Sequence, residues 1–282
     1  MSTFKGKVAV VTGAGSGIGR ALALELARRG ALLAVSDVDD RGLAETHDQI
    51  AALGTEVHSA TVDMADRDAV IAYADDMVEW FGAVHQIYNN AGIAGHSTTV
   101  LDSDWANYEK VIAVSLFGVI HGTKAFLPHL IASGDGHVVN ISSLNGYLAQ
   151  PTLSAYCASK FGVRGFTEAL RTEMLAARLP VRVTTVHPGG VKTDIATNGV
   201  AAALADGAEV TTAQRKRADF YNEKLLRMDA AEAATIILDG VAAGSPRIRV
   251  GRDAAFLDGA VRLFPELYPK VVAQFDRRVL GG

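Results

Sequence analysis

The chain of 282 residues contains a single cysteine, Cys157, so neither an internal disulfide nor a thiolate-rich metal site can form within it. One cysteine fits a reducing compartment, and a cytoplasmic location is the expectation. Basic charge is not in excess either. The formal net charge of −4 gives a nucleic acid no electrostatic reason to bind. The short runs Arg215-Lys216-Arg217 and Arg277-Arg278 read as solvated helix faces. The longest apolar stretch, residues 111–120, is broken by Ser115 and Gly118 and falls short of the ~18–20 residues of a spanning helix, so no membrane partner is expected. At the N-terminus, Met1 to Lys7 leads directly into a short apolar run and a glycine turn, which is not the pattern of a leader. No His-Glu-x-x-His occurs, which argues against a zinc peptidase, and no metal site is expected.

What the chain does have is apolar residues at 49% and 28 glycines, the balance of a compact α/β protein with many tight βα turns. Short β-branched runs predict strands at 8–12, 32–37, 57–62, 86–89, 137–142, 181–187 and 247–250. Between them, segments of helical period predict helices near 18–29, 41–53, 67–81, 104–131, 155–177 and 230–243. Asp229 and Glu232 stand in capping-box spacing at the start of the last of these. This alternation is the signature of right-handed βαβ units. The expected fold is a doubly wound, seven-stranded parallel sheet of Rossmann type, one domain over residues 1–282. Residues 194–228, rich in alanine and charge, read as a mobile helical flap over a substrate, inserted before the last helix and strand. The C-terminal extension, 254–282, carries Phe256, Leu257, Val261, Leu263, Phe264, Leu267 and Tyr268. Such apolar surface can cover a subunit interface or a substrate pocket.

The first strand ends at Thr12 and opens into Gly13-Ala-Gly15-Ser16-Gly17-Ile18-Gly19, followed by a helix. A glycine turn at a helix N-terminus gathers free N–H groups and a positive helix end, which makes an anion site. It is equally a plain tight βα turn, and the literal G-x-G-x-x-G pattern is not met. Asp37 closes the second strand, where a carboxylate can accept hydrogen bonds from the adenosine ribose of a dinucleotide. That position points to NAD, because the same charge repels a 2′-phosphate. Arg41 lies close enough in sequence to neutralise Asp37 and admit NADP, and Asp37 could instead cap the next helix.

Tyr156 and Lys160 begin the long helix near 155–177, four residues apart and therefore on one face. An ammonium within reach of a phenol favours the phenolate, so Tyr156 can exchange protons. Ser143 follows the fifth strand, at the carboxyl end of the sheet where open α/β folds bind ligands. Ser143 is not in Gly-x-Ser-x-Gly, which argues against hydrolase chemistry. Among the histidines, His187 reads as packing or bonding locally, and His96 as a residue near a substrate mouth.

Taken together, these motifs resemble the short-chain dehydrogenase/reductase family in its common single-domain form. The family's cofactor turn matches Gly13 to Gly19; its adenine-side acid matches Asp63, followed by Met64; its Asn-Asn-Ala-Gly strand end matches Asn89, Asn90, Ala91 and Gly92. Its catalytic serine, tyrosine and lysine match Ser143, Tyr156 and Lys160, and Pro188-Gly189-Gly190-Val191-Lys192-Thr193 resembles the loop whose threonine holds the nicotinamide amide. The resemblance covers residues 8–194.

The resemblance implies an oxidoreductase that moves a hydride between NAD(H) and a secondary alcohol or ketone. Tyr156 would be acid and base, Lys160 would hold the nicotinamide ribose and tune the tyrosine, and Ser143 would polarise the substrate oxygen. Leu225, Leu226, Met228, Phe256 and Phe264 lean toward a hydrophobic substrate, and family members are often homodimers or homotetramers. One position departs: where the family places asparagine in Val-Asn-x-x-Gly on the middle helix, this chain has Ser115, which puts the proton relay to the lysine in question. Ser115 therefore leaves open a non-catalytic dinucleotide sensor on the same fold. A sugar-nucleotide epimerase would share the tyrosine–lysine spacing but calls for Gly-x-x-Gly-x-x-Gly, which is absent.

Overall fold

The computed structural model describes residues 4–193, 195–205, 207 and 210–280. Seven parallel strands form one sheet: β1 (Val8–Thr12), β2 (Leu32–Asp37), β3 (Val57–Thr61), β4 (Gln86–Asn89), β5 (Gly136–Ile141), β6 (Val181–Pro188) and β7 (Arg247–Val250). Their order is β3-β2-β1-β4-β5-β6-β7, the doubly wound arrangement expected from the alternation of strand and helix patterns. The chain leaves β1 toward β2 on one side and later returns to place β4 on the other. That reversal opens a crevice at the carboxyl ends of β1 and β4, where ligands of such sheets bind.

Helices α1 (Gly17–Arg28), α2 (Asp40–Ala51) and α9 (Ala230–Ala242) cover one face of the sheet. There Leu22, Leu26, Ile50, Ile237 and Leu238 are fully buried against β1, β2 and β6. On the other face lie α3 (Arg67–Phe81), α4 (Trp105–Ile112), α5 (Gly118–Ala132) and α6 (Ser154–Ala176). Met77, Phe126, Leu130 and Met174 form the core there. With both faces covered, the strands are almost continuously apolar, as buried parallel strands must be.

Three features differ from the sequence expectations. The single helix expected over 104–131 is interrupted by a π-helical turn, Ala113–Phe117, between α4 and α5. Such turns insert an extra residue and gather at functional sites. By length and composition the helical run 105–132 could cross a membrane, yet its buried face packs on β4, β5 and α6. Second, the fifth strand begins and ends one residue earlier than expected, and Ser142, just past it, donates its hydroxyl to the Lys160 carbonyl at 2.9 Å. Third, the C-terminal stretch folds as two helices, α10 (Arg252–Leu263) and α11 (Tyr268–Leu280), and α10 starts before the expected boundary. The region expected as a flap comprises α7 (Ile195–Ala205), α8 (Thr212–Phe220) and a π turn at Tyr221–Leu225, while Asp194 lies outside the described residues.

Candidate active site

The turn after β1 is built by close backbone packing. Gly13 has φ +64°, a left-handed conformation, and a Cβ there would sit 2.8 Å from the Ala91 Cα. A Cβ at Gly19 would collide with the Gly13 carbonyl, so α1 can start this close to β1 only with glycine at that position. Asp37 reaches into the turn: its Oδ2 accepts from the Gly15 amide at 2.7 Å and its Oδ1 from Asp39 N at 3.0 Å. The cap of α2 is therefore Asp39, not Asp37. Arg41 pairs with Glu45 at 3.5 Å and is 90% exposed, so it does not neutralise Asp37. Ser16 occupies the N-cap of α1 without a side-chain cap bond, and Ile18 packs on the core.

The strand end Asn89 to Gly92 meets this turn. Thr12 Oγ1 accepts from the Asn90 amide at 3.0 Å and the Ala91 amide at 3.1 Å, and Asn90 Nδ2 donates to the Thr12 and Gly13 carbonyls. Asn89 points the other way, to Thr123 and Asn140 in the core. Asp63 is exposed and accepts from Ala65 N at 2.8 Å; Met64 is buried against Gly118 and Gly122, and its carbonyl lies 3.0 Å from His121 Nδ1.

Beyond the crevice, β5 and the first turns of α6 bring Ser143, Tyr156 and Lys160 together. Lys160 is 3% exposed and its Nζ donates to the Ile141 carbonyl at 3.1 Å, 5.7 Å from the Tyr156 ring centre. Burial in this low-dielectric site pushes the ammonium down to about 8. The same burial pushes the Tyr156 phenol up to about 12, opposed by a hydrogen bond with the Ser143 side chain. The Ser143 hydroxyl also accepts from Asn145 N at 3.1 Å, which fixes its direction. His187 bonds to the Ser143 carbonyl through Nδ1 at 2.9 Å, and burial pushes it down to about 4, so it supports the loop as a neutral ring. His96 is bonded through its backbone amide to Asn107.

Ser115 is completely buried on the π turn. Its hydroxyl accepts from Ile93 N and donates to Ile93 O, both at 2.9 Å, which fastens the chain just past β4 to the helix. Gly92, beside that bond, lies where a Cβ would be 3.2 Å from Lys160 Nζ and 3.3 Å from Ser115 Oγ. Ser115 and the lysine thus flank Gly92 together, and the hydroxyl proton of Ser115 is committed to Ile93.

The loop after β6 closes the crevice. Pro188 ends β6 opposite Val250, Gly189 N donates to the Val250 carbonyl, and Val191 is buried and bridged to Met228. Thr193 reaches the glycine turn, since a Cβ at Gly17 would be 3.1 Å from its Cγ2. Three residues that carry no motif signal, Arg20, Thr46 and Asp253, complete the site, and Tyr147 holds helix α10. Arg20 braces the turn from beneath, bonding to the Gly15 and Gly42 carbonyls and to Thr46, whose hydroxyl donates to Ala14 O. Asp253 accepts from Gly190 N at 2.9 Å, and Tyr147 donates to the Ala254 carbonyl at 2.6 Å. Each of the four acts on at least one backbone atom, which any residue type could present, so residue spacing does not reveal them.

The family model for short chain dehydrogenases matches residues 7–203. A putative oxidoreductase, SadH, of Mycobacterium tuberculosis is 54% identical over 273 residues, spanning 97% of this chain and 96% of that protein. A cyclohexanol dehydrogenase of Acinetobacter is 36% identical over 192 residues, spanning 68% of this chain and 76% of its own. Among solved structures, a short chain dehydrogenase/reductase of Burkholderia phymatum in complex with NAD superposes with TM-score 0.87 at 33% identity, covering 95% of this chain and 96% of that one.

Proposed function

The chain belongs to the short-chain dehydrogenase family, and from that premise we propose that it transfers a hydride between NAD(H) and a hydrophobic secondary alcohol or ketone, with Tyr156 as acid and base. The observation that carries this reading is the shared site of Ser143, Tyr156 and Lys160 at the carboxyl end of the sheet, beside a loop whose Thr193 reaches the glycine turn.

The residues present fit the cofactor. Amides of Ser16 to Gly19 and the N-terminal end of α1 would hold the pyrophosphate, at a turn whose Gly15 amide is held by Asp37 and which has no room for a Cβ at Gly19. Asp37 would hold the adenosine ribose: each of its oxygens accepts one protein N–H and retains a lone pair for a hydroxyl. Its uncompensated charge favours NAD over NADP. Asp63 and Met64 would border the adenine, Asn90, Ala91 and Gly92 the nicotinamide ribose, and Pro188, Gly189, Val191 and Thr193 the nicotinamide. When bound, NAD accepts or gives the hydride.

The protein's own part is to hold the substrate oxygen and move its proton. Ser143 donates to that oxygen and orients it. Tyr156 takes the hydroxyl proton during oxidation and returns one during reduction. The Ser143 hydrogen bond opposes the upward pull of burial on the phenol, and Lys160, its Nζ 5.7 Å from the ring centre, would hold the nicotinamide ribose and favour the phenolate by its charge. Ser115 positions the wall of the site through Ile93 rather than relaying a proton. The flap segments and α11 enclose the substrate, joined by the Arg217–Asp276 ion pair at 2.7 Å and the Phe220–Phe275 ring contact.

A panel of secondary alcohols and ketones, followed by nicotinamide absorbance with NAD and with NADP, tests the reading. Turnover with NAD on apolar substrates is the expected result. Tight NADH binding with no turnover on any member of the panel would instead favour a sensor.

A further inference from the structure

We propose that Asp253, at the start of the C-terminal extension, is a positioning residue for the Pro188–Thr193 loop, so that this extension forms part of the cofactor end of the site. The proposal rests on the reading that this loop receives the nicotinamide. Asp253 lies in the first turn of α10, where the helix dipole favours a negative side chain. From there its Oδ2 accepts the Gly190 amide at 2.9 Å.

The surroundings are shaped for that carboxylate. A Cβ at Gly189 would collide with it, and so would one at Gly251, whose φ of +102° is itself open only to glycine without strain. The opposite edge of Gly190 is held as well: its carbonyl accepts from Arg227 N at 2.9 Å and Met228 N at 3.0 Å. The loop is therefore pinned between the extension and the end of the flap, and Asp253 supplies the one charged side chain among these contacts with Gly190. Three residues on, Thr193 touches the glycine turn. A loop fixed before a ligand arrives spares the entropy of ordering it, so loss of the pin weakens binding.

Tyr147 provides the control. Its hydroxyl also anchors α10, through Ala254 O at 2.6 Å, but from the Ser143 side of the site. Titration of the full chain with NADH by fluorescence tests the proposal with three variants. Asp253→Ala is expected to raise the NADH Kd by about tenfold, the scale of one hydrogen bond. Asp253→Asn, whose amide oxygen accepts the same bond, and Tyr147→Phe are expected to stay within about twofold of the parent. If Asp253→Ala does not fold, Asp253→Ser, whose hydroxyl ends one bond short of the amide, carries the same expectation as Asp253→Ala. An unchanged Kd in a folded variant lacking the carboxylate and its amide substitute would overturn the proposal. So would Tyr147→Phe raising the Kd equally, because the effect would then be a general loosening of α10. Failure of the parent itself to bind NADH would strike the cofactor reading instead, since the variants would have nothing to modulate.

Discussion

Tyr156 and Lys160 share a low-dielectric site, and burial disfavours the charged form of each. The phenol is pushed up to about 12 and the ammonium down to about 8. Lys160 therefore carries its charge through neutral pH and loses it as pH rises past about 8. Across pH 6 to 7 the lysine is charged and the phenolate fraction of Tyr156 grows by about tenfold. Oxidation, which uses the phenolate, is expected to accelerate over that range, while reduction, which uses the neutral phenol, stays level or falls. Initial rates in both directions check this, and an oxidation rate that drops from pH 6 to 7 would be inconsistent with Tyr156 as the base. The three matched residues are legible in the sequence because their types and order follow from the chemistry. Arg20, Thr46, Tyr147 and Asp253 are not, because each acts on a backbone carbonyl or amide that any residue type could present.

At the scale of elements, strands were readable because residues buried on both faces leave short β-branched runs, and all seven were expected close to their observed bounds. The π turn at Ala113–Phe117 left no such mark, since it holds neither a proline nor a glycine. Its role lies in a side chain: Ser115 satisfies both the N–H and the C=O of Ile93. Ser115→Ala would leave those two groups to find other partners and is expected to cost about 1–3 kcal/mol of stability. The denaturant midpoint measures this; an unchanged midpoint would mean that Ser115 does not fasten the β4 end. The flap was legible as helical by composition, but not its capping box at Thr211 and Gln214, nor the bond from Gln214 Nε2 to Ser97 O that ties α8 to the loop after β4.

For the molecule as a whole, the doubly wound sheet sets one crevice, and elements far apart in sequence converge on it. The extension was open to two readings, interface or pocket, and it folds as two helices, α10 and α11. On α10, Ala254 and Asp258 face inward while Phe256 and Leu263 remain 73% and 74% exposed. Large exposed apolar side chains on one helix favour burial against another copy. A homodimer or homotetramer is expected, with a light-scattering mass of two or four times 29.7 kDa; a monomer at micromolar concentration would contradict it. The central claim is that proton exchange at one phenol drives turnover on a bound dinucleotide. Tyr156→Phe, assayed for NADH binding and for turnover on the best substrate of the panel, measures it directly. The predicted result is a loss of turnover of about 10²–10⁴-fold with NADH affinity nearly unchanged; turnover persisting near the parent rate would contradict the account.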